Sequence, residues 1–140
     1  MTLIWRYATE ADVDLLAEWN YQLIKDEAHR NSMNVAQLKD RMRGWLTGEY
    51  QAVIFSESVP VAHALFKREE TLIHLRQFFV RRDMRRKGIG RAAFTILSDE
   101  IWPSSVRWTV EVLCANHPAI GFWNSVGYRE YSLVLEIMPR

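Results

Sequence analysis

The junction between residues 78 and 91 constrains this chain more than any other feature. An apolar run, Phe78-Phe79-Val80, ends a strand-like segment. The basic stretch Arg85-Arg86-Lys87-Gly88-Ile89-Gly90-Arg91 follows, and then Ala93, Ile96, Leu97 and Ile101 recur at helical spacing. A buried strand that passes through a short glycine turn into an amphipathic helix has to lay that helix back on its sheet. The next strand then pairs with the first in parallel. A strand–helix–strand unit from Thr71 to Leu113 is expected on these grounds.

The rest of the chain extends that unit. Leu3 to Tyr7 reads as a first strand. Thr9 and Asp12 have the spacing of a variant capping box, and Val13, Leu16, Ala17, Tyr21 and Ile24 follow at helical spacing. After the polar break at 29–32, Val35, Leu38, Met42 and Leu46 form the apolar stripe of a second helix, ended by Gly48. The period then changes from helix to strand. Gln51–Ser56, Val61–Lys67 and Thr71–Val80 read as an antiparallel meander with turns at Val59-Pro60 and Glu69-Glu70. A helix over Ile89–Trp102 is stopped by Pro103. Val106–Leu113 is a strand, His117–Ser125 a short helix with Pro118 in its first turn, and Tyr128–Met138 a last strand. The fold class is α/β, a mixed sheet in the order β-α-α-β-β-β-α-β-α-β. No linker or repeat interrupts it, so residues 1–140 form one expected domain.

Composition narrows the function classes. The chain has 140 residues, 49% of them hydrophobic and 25% charged, which is ordinary for a globular domain with its own core. A net charge of +1 gives no overall pull on nucleic acid or membrane. The single cysteine, Cys114, forms no internal disulfide, and no His/Cys spacing suggests a metal site. No signal-like or membrane-length apolar stretch occurs, so a cytoplasmic protein is expected. The charge is uneven, however: six of the 18 basic residues and one acid, Asp83, fall between Arg81 and Arg91. The run is short and lacks interleaved aromatics, which argues against a nucleic-acid surface.

The chemistry of the turn points to an anion. Glycines 88 and 90 let a ligand approach the backbone. The first amides of a helix lack internal partners and donate to phosphate oxygens. Arg85, Arg86, Lys87 and Arg91 add positive charge, and arginine grips phosphate through two parallel hydrogen bonds. Neither the P-loop pattern nor a dinucleotide G-x-G-x-x-G is present. What the residues match is Arg85-x-x-Gly88-x-Gly90, an [R/Q]-x-x-G-x-[G/A] signature. A second segment, Asn116-His117-Pro118-Ala119-Ile120-Gly121-Phe122-Trp123-Asn124-Ser125-Val126-Gly127-Tyr128, matches N-x-x-A-x-x-F-Y-x-x-x-G-F. With these two motifs and its element order, the chain resembles the GCN5-related N-acetyltransferase (GNAT) superfamily over nearly its whole length.

The resemblance implies an acetyl-CoA-dependent N-acetyltransferase. In the family the fourth strand carries a bulge and splays from the fifth, and the pantetheine arm lies between them. Phe78, Phe79 and Val80 stand at that place. The pyrophosphate then falls to Arg85, Arg86, Lys87, Gly88, Ile89, Gly90 and Arg91. Asn116 is expected to touch the cofactor and Phe122 to pack beside it. Their alternatives are a helix cap for Asn116 and a core position for Phe122. The reaction implied is direct attack of an amine on the thioester. The acceptor is a small-molecule or protein amine, and a homodimer is common among family members.

Tyr128 stands where the family pattern has Phe, and the pattern fails at one position that carries chemistry. Where many members carry a tyrosine acid for the leaving thiolate, this chain has Trp123, whose indole N–H cannot deliver a proton. Tyr128, or else Tyr131 or water, is the substitute. The base has several candidates: Glu111, His74, Asp26, Glu27 and His29. Glu111 has an alternative as a partner of Arg76. Asp26, Glu27 and His29 suit a cationic amine acceptor, and also suit a solvated helix end. A non-catalytic acyl-CoA sensor of the same fold is the competing reading, motivated by Trp123.

Overall fold

The computed structural model describes residues 2–140. It contains β1 (Ile4–Tyr7), α1 (Val13–Asp26), α2 (Val35–Thr47), β2 (Tyr50–Ser56), β3 (Pro60–Arg68), β4 (Leu72–Val80), α3 (Ile89–Ile96), β5 (Arg107–Val110) and α4 (His117–Ser125). The strands form one sheet in the order β1-β2-β3-β4-β5. The first four pair antiparallel, and β4 pairs with β5 in parallel, as the strand–helix–strand reading requires. Among the described residues no helix is long and apolar enough to cross a membrane.

The sheet separates two apolar clusters. Val13, Leu16, Trp19 and Met42 of the first two helices pack on Ala52, Ile54, Leu65 and Phe79. On the other face Ile89, Ala93, Phe94, Leu97 and Trp123 pack on Val53, Phe55, Ala64, Phe66, Ile73 and Leu75. Strands β2 and β3, buried on both faces, read as apolar runs for that reason, with His63 the polar exception in the middle of β3.

Helix starts follow local chemistry. The Thr9 amide donates to Asp12 Oδ2 at 2.8 Å, completing the expected capping box, which opens a single 3-10 turn before α1. A second box was not anticipated: Asn34 and Gln37 exchange side-chain and backbone bonds at the start of α2. Its Asn-x-x-Gln spacing was visible in the sequence.

Three expectations are corrected. The helix expected over 89–102 is α-helical only to Ile96. It then widens into a π turn, Leu97–Ile101, closed by the Trp102 amide on the Leu97 carbonyl at 2.7 Å. The wider turn brings Trp102 into the core against Phe66, Phe94 and Trp108. Strand β5 ends at Val110, so Glu111 lies one residue beyond the ladder. The last strand, expected over Tyr128–Met138, does not form. That segment alternates like a strand, but its backbone pairs with no strand among the described residues.

Candidate functional site

The site begins where β4 changes its face. Leu65 of β3 pairs with Gln77, and the next residue, Phe66, pairs with Leu75, leaving Arg76 as an extra residue. This β-bulge rotates the strand beyond it. Ile73 and Leu75 face the α3 cluster before the bulge, and Phe78 and Val80 face it afterwards. Phe79 turns to the α1 side. The β4–β5 ladder runs only from Leu72–Arg107 to Leu75–Val110. Past it the strands diverge, and a cleft of about 630 Å³ opens between them. That volume suits a sizeable organic ligand.

The cleft floor is apolar. Phe78 stacks on Phe122 with ring centroids 5.9 Å apart, and both meet the edge of Trp123. Gly90 lies beside this stack: a Cβ there would sit 3.4 Å from the Phe122 ring, at ordinary contact distance. Trp123 is buried and also touches Phe94 and Tyr128, so it is a wall of the cleft and part of the core at once.

One end of the cleft is an anion cradle. Gly88 caps α3 in the left-handed region at φ 81°. Arg86 is also left-handed, at φ 63°, a conformation that costs an L-residue energy and shapes the loop. The first intrahelical bond runs from the Ala92 amide to the Gly88 carbonyl, so the amides of Ile89, Gly90 and Arg91 have no partner within the helix. They line the cleft together with Arg85 and Arg86.

The four cations of the loop differ in availability. Arg85 Nη2 donates to Asp26 Oδ2 at 2.7 Å, and its Nε donates to the Val80 carbonyl at 2.8 Å. Arg91 donates to Ser125 Oγ at 3.0 Å. Arg86 and Lys87 make no ion pair among the described residues. Lys87 is exposed and stands outside the cleft wall.

The acidic side of the cleft splits in the same way. Asp26 is held by Arg85 and by Arg82, whose Nη2 donates at 2.8 Å. Burial pushes the Asp26 carboxyl up, but the two arginines outweigh it and hold it below the ordinary carboxylate range. Glu27 lines the same wall without an ion-pair partner among the described residues, and burial, with the Asp26 charge beside it, pushes it up. Glu111 lines the opposite wall and is exposed. It does not meet Arg76, which stacks 4.7 Å over Trp45 instead.

Other expected residues lie elsewhere. Tyr128 does not line the cleft: its hydroxyl is buried without a hydrogen-bond partner, and burial raises its pKa. His29 sits in the α1–α2 connection, where its Nδ1 accepts from the Asn31 amide. His74 Nδ1 meets Thr109 Oγ1 at 2.8 Å across the β4–β5 pair. Tyr131 is exposed and lies under Arg107. Asn116 lines the cleft while its Oδ1 caps α4 by accepting from the Ala119 amide at 3.3 Å. Leu23, Arg76, Gln77, Met84, Val110 and Val112, with Pro118 and Ala119 of α4, also line the cleft without having been expected there. Only the bulge brings Arg76 and Gln77 to the opening, and a one-residue bulge leaves no mark in composition or period.

Comparison with known proteins agrees with this geometry. A family model described as an acetyltransferase (GNAT) domain matches residues 9–136. No curated protein matches the sequence significantly. Among solved structures, a possible acetyltransferase from Clostridium difficile 630 superposes with a TM-score of 0.81 at 18% identity, covering 100% of this chain and 99% of that one. A predicted acetyltransferase with acetyl-CoA from Clostridium acetobutylicum gives 0.73 at 14% identity, covering 98% and 96%. AAC(6')-Iy in complex with a bisubstrate analog, CoA-S-monomethyl-acetylneamine, gives 0.77 at 11% identity, covering 100% and 99%. At these identities the likeness concerns the fold, whereas the family match spans nearly the whole chain. Splayed strands, an apolar cleft and an amide cradle thus coincide with that match, and the chain belongs to the GNAT acetyltransferase family.

Proposed function

We propose that this chain is an N-acetyltransferase that uses acetyl-CoA and acts on a small-molecule or protein amine. The observation that carries the reading is continuity. The cleft runs unbroken from the β4–β5 divergence to the free amides of α3, and so offers an apolar slot that ends in an anion cradle.

The residues present fit such a cofactor. The amides of Ile89, Gly90 and Arg91, with the unpaired Arg86 and Lys87, suit a diphosphate. Arg85 serves that role mainly through its backbone, because its guanidinium is engaged by Asp26. Phe78, Phe122 and Val80 suit the pantetheine chain, with Phe79 behind them. Asn116 has its amide nitrogen left over from capping and can donate it into the cleft.

Acetyl-CoA supplies a thioester carbonyl, to which the amine nitrogen bonds as the carbon–sulfur bond breaks and CoA leaves as thiolate. The amine must reach it neutral, so a carboxylate has to accept its proton. Glu27 and Glu111 face the cleft without ion-pair partners among the described residues. Glu27 is the better placed base, because its raised pKa brings it nearer to neutral pH. Glu111 on the far wall is a second acceptor. Asp26, already neutralised by two arginines, orients the loop more than it attracts an amine. The leaving thiolate has an ordinary pKa of about 8.5 and needs little help from an acid. Trp123 therefore does not bar the reaction, and Tyr128 is not required.

Calorimetry with acetyl-CoA, followed by assay of CoA release against a panel of amines, tests the reading. Saturable binding and amine-dependent release are expected. No binding at millimolar acetyl-CoA would overturn it. Binding without release for any amine would favour the sensor reading, which Trp123 at the usual tyrosine position motivates.

A further inference from the structure

Trp45 carries two guanidinium groups. Arg41 precedes it by one helical turn on α2, so the two side chains share a face. The Arg41 guanidinium carbon lies 4.3 Å from the centre of the Trp45 ring. That of Arg76, the extra residue of the β4 bulge, lies 4.7 Å from the same centre. The two cations are therefore no more than 9.0 Å apart. The ring they share is held in place, because Tyr50 tilts against it at 5.5 Å and it packs on the cluster under α1 and α2.

Neither arginine has an anion. Every other cation of α2 is paired: Lys39 with Asp14 at 3.3 Å, and Arg43 with Asp40 at 3.1 Å and Glu10 at 3.8 Å. Arg41 and Arg76 make no ion pair and no side-chain hydrogen bond among the described residues. A solvated arginine keeps every N–H in water, but the Arg41 Nε is buried without a hydrogen-bond partner. Burial and the Arg76 charge both push the Arg41 guanidinium down from its ordinary pKa. Neighbouring like charges and a buried orphan donor each cost free energy, and one anion bound to both guanidiniums would remove both costs.

Stacking decides which part of each cation is left to bind. A guanidinium laid over an indole uses its face on the ring and keeps its N–H rim for carboxylate or phosphate oxygens. Arg76 brings that rim to the cleft, whose lining also includes Glu27 and Glu111. This cationic site shares no residue with the cradle at the start of α3. The cleft thus presents carboxylates to an amine and, at the Arg76 end, cations to an anion.

We propose that Arg41 and Arg76, over Trp45, bind an anionic group of the acceptor, so that the acceptor is a small amine that also carries a carboxylate or a phosphate. The proposal rests on the acetyltransferase reading for its reaction, but not for its binding site. The pantetheine arm shares the cleft of about 630 Å³, which leaves room for a small molecule. A polycationic amine is repelled by the same two arginines.

Matched amines test this. Glycine, β-alanine, γ-aminobutyrate and O-phosphoethanolamine are assayed for CoA release beside glycinamide, β-alaninamide, γ-aminobutyramide and ethanolamine, with spermidine as the polycation. The best anionic amine should exceed its neutral partner at least about tenfold in kcat/KM. Arg76→Gln, at an exposed position that does not endanger the fold, should bring that ratio toward one, and so should Arg41→Gln. The loss should fall on the KM of the anionic member, and lysine at either position should restore part of it. Binding is read separately with CoA in place of acetyl-CoA, where no acetyl group can move. The anionic amines should shift the Trp45 indole N–H resonance, assigned by its loss in Trp45→Phe, and their neutral partners should not. Neutral amines or spermidine acetylated as well as the anionic ones overturn the proposal. So does a preference that survives unchanged in both glutamine variants. If no amine at all is acetylated, the catalytic reading fails by itself and the indole resonance decides the site: a shift upholds it, and no shift with any anionic amine overturns it.

Discussion

Arg85 and Asp26 are joined by a 2.7 Å ion pair that links the cofactor-side loop to the end of α1. They lie 59 positions apart, and Arg82 shares the same carboxylate. The pair couples the anion cradle to the wall that carries Glu27. The folded-state pKa of Asp26 is depressed, so its contribution to stability is full above the unfolded value of about 3.9 and is lost as pH falls through the lower folded value. Partial exposure of both partners limits that contribution to roughly 1 kcal/mol. Asp26→Asn should lower stability at pH 7 by this amount and flatten the loss of stability below about pH 4, as read by urea denaturation at several pH values. An unchanged acid profile would show that the pair does not act on stability.

His63 titrates in a different window. It is fully buried, stacks on Trp19 and meets Gln77 Oε1 at 3.2 Å. Burial outweighs the Gln77 hydrogen bond and lowers its pKa from 6.5 to about 4. The unfolded chain therefore takes up a proton first. Stability is full above pH 6.5 and falls as pH drops toward 4, by on the order of 3 kcal/mol. His63→Gln should remove the part of the slope between pH 6.5 and 4, whatever it costs at pH 7. Equal slopes for the two proteins would contradict this account.

Gly88 separates fold from function in the cradle. At φ 81° an alanine there is strained by about 1–2 kcal/mol. Relieving that strain would turn the first amides of α3 away from the cleft. Gly88→Ala should weaken acetyl-CoA binding about tenfold in calorimetry. Arg86→Ala should weaken it by a similar factor with little effect on melting temperature, because Arg86 makes no ion pair among the described residues.

The sequence made the cradle legible because its determinants are local. Two glycines, a strand before them and a helix after them lie within a few turns of chain, and each has a period or a residue type that marks it. The α4 motif was legible for the same reason, down to its bounds at His117 and Ser125. What escaped was set by tertiary context. The engagement of Arg85 by Asp26 spans half the chain, so four cations that look equivalent in sequence are not equivalent in the fold. The resemblance implied a bulge in the fourth strand, but its place at Arg76 was not legible, because it shifts register by one residue in a strand whose composition does not change. The segment at 131–138 has the alternation of a strand, yet period says nothing about whether another strand pairs with it.

Glu27 offers a kinetic test of the base. Its pKa is raised, so the acid limb of kcat/KM should lie above the ordinary glutamate value of about 4.3. Activity should rise as pH passes that limb and the carboxyl becomes the base. Glu27→Gln should abolish the limb and lower kcat/KM about 100-fold while acetyl-CoA affinity stays the same. A limb that survives in Glu27→Gln and disappears in Glu111→Gln would assign the role to the other wall.

Trp123→Tyr asks whether the missing tyrosine matters. Restoring the family residue places a phenol where the indole now packs between Phe78, Phe94, Phe122 and Tyr128. The smaller ring leaves a void in a buried site, at a cost of about 1–3 kcal/mol in stability. If thiolate departure needs no acid, kcat at neutral pH should stay within about twofold of wild type, because the thiol pKa of about 8.5 already makes CoA a good leaving group. Thermal denaturation and steady-state assay at one pH separate the two effects. A tenfold or greater rise in kcat would mean that protonation of the thiolate limits the wild-type enzyme. In that case Trp123, which holds the core together, would do so at the expense of rate.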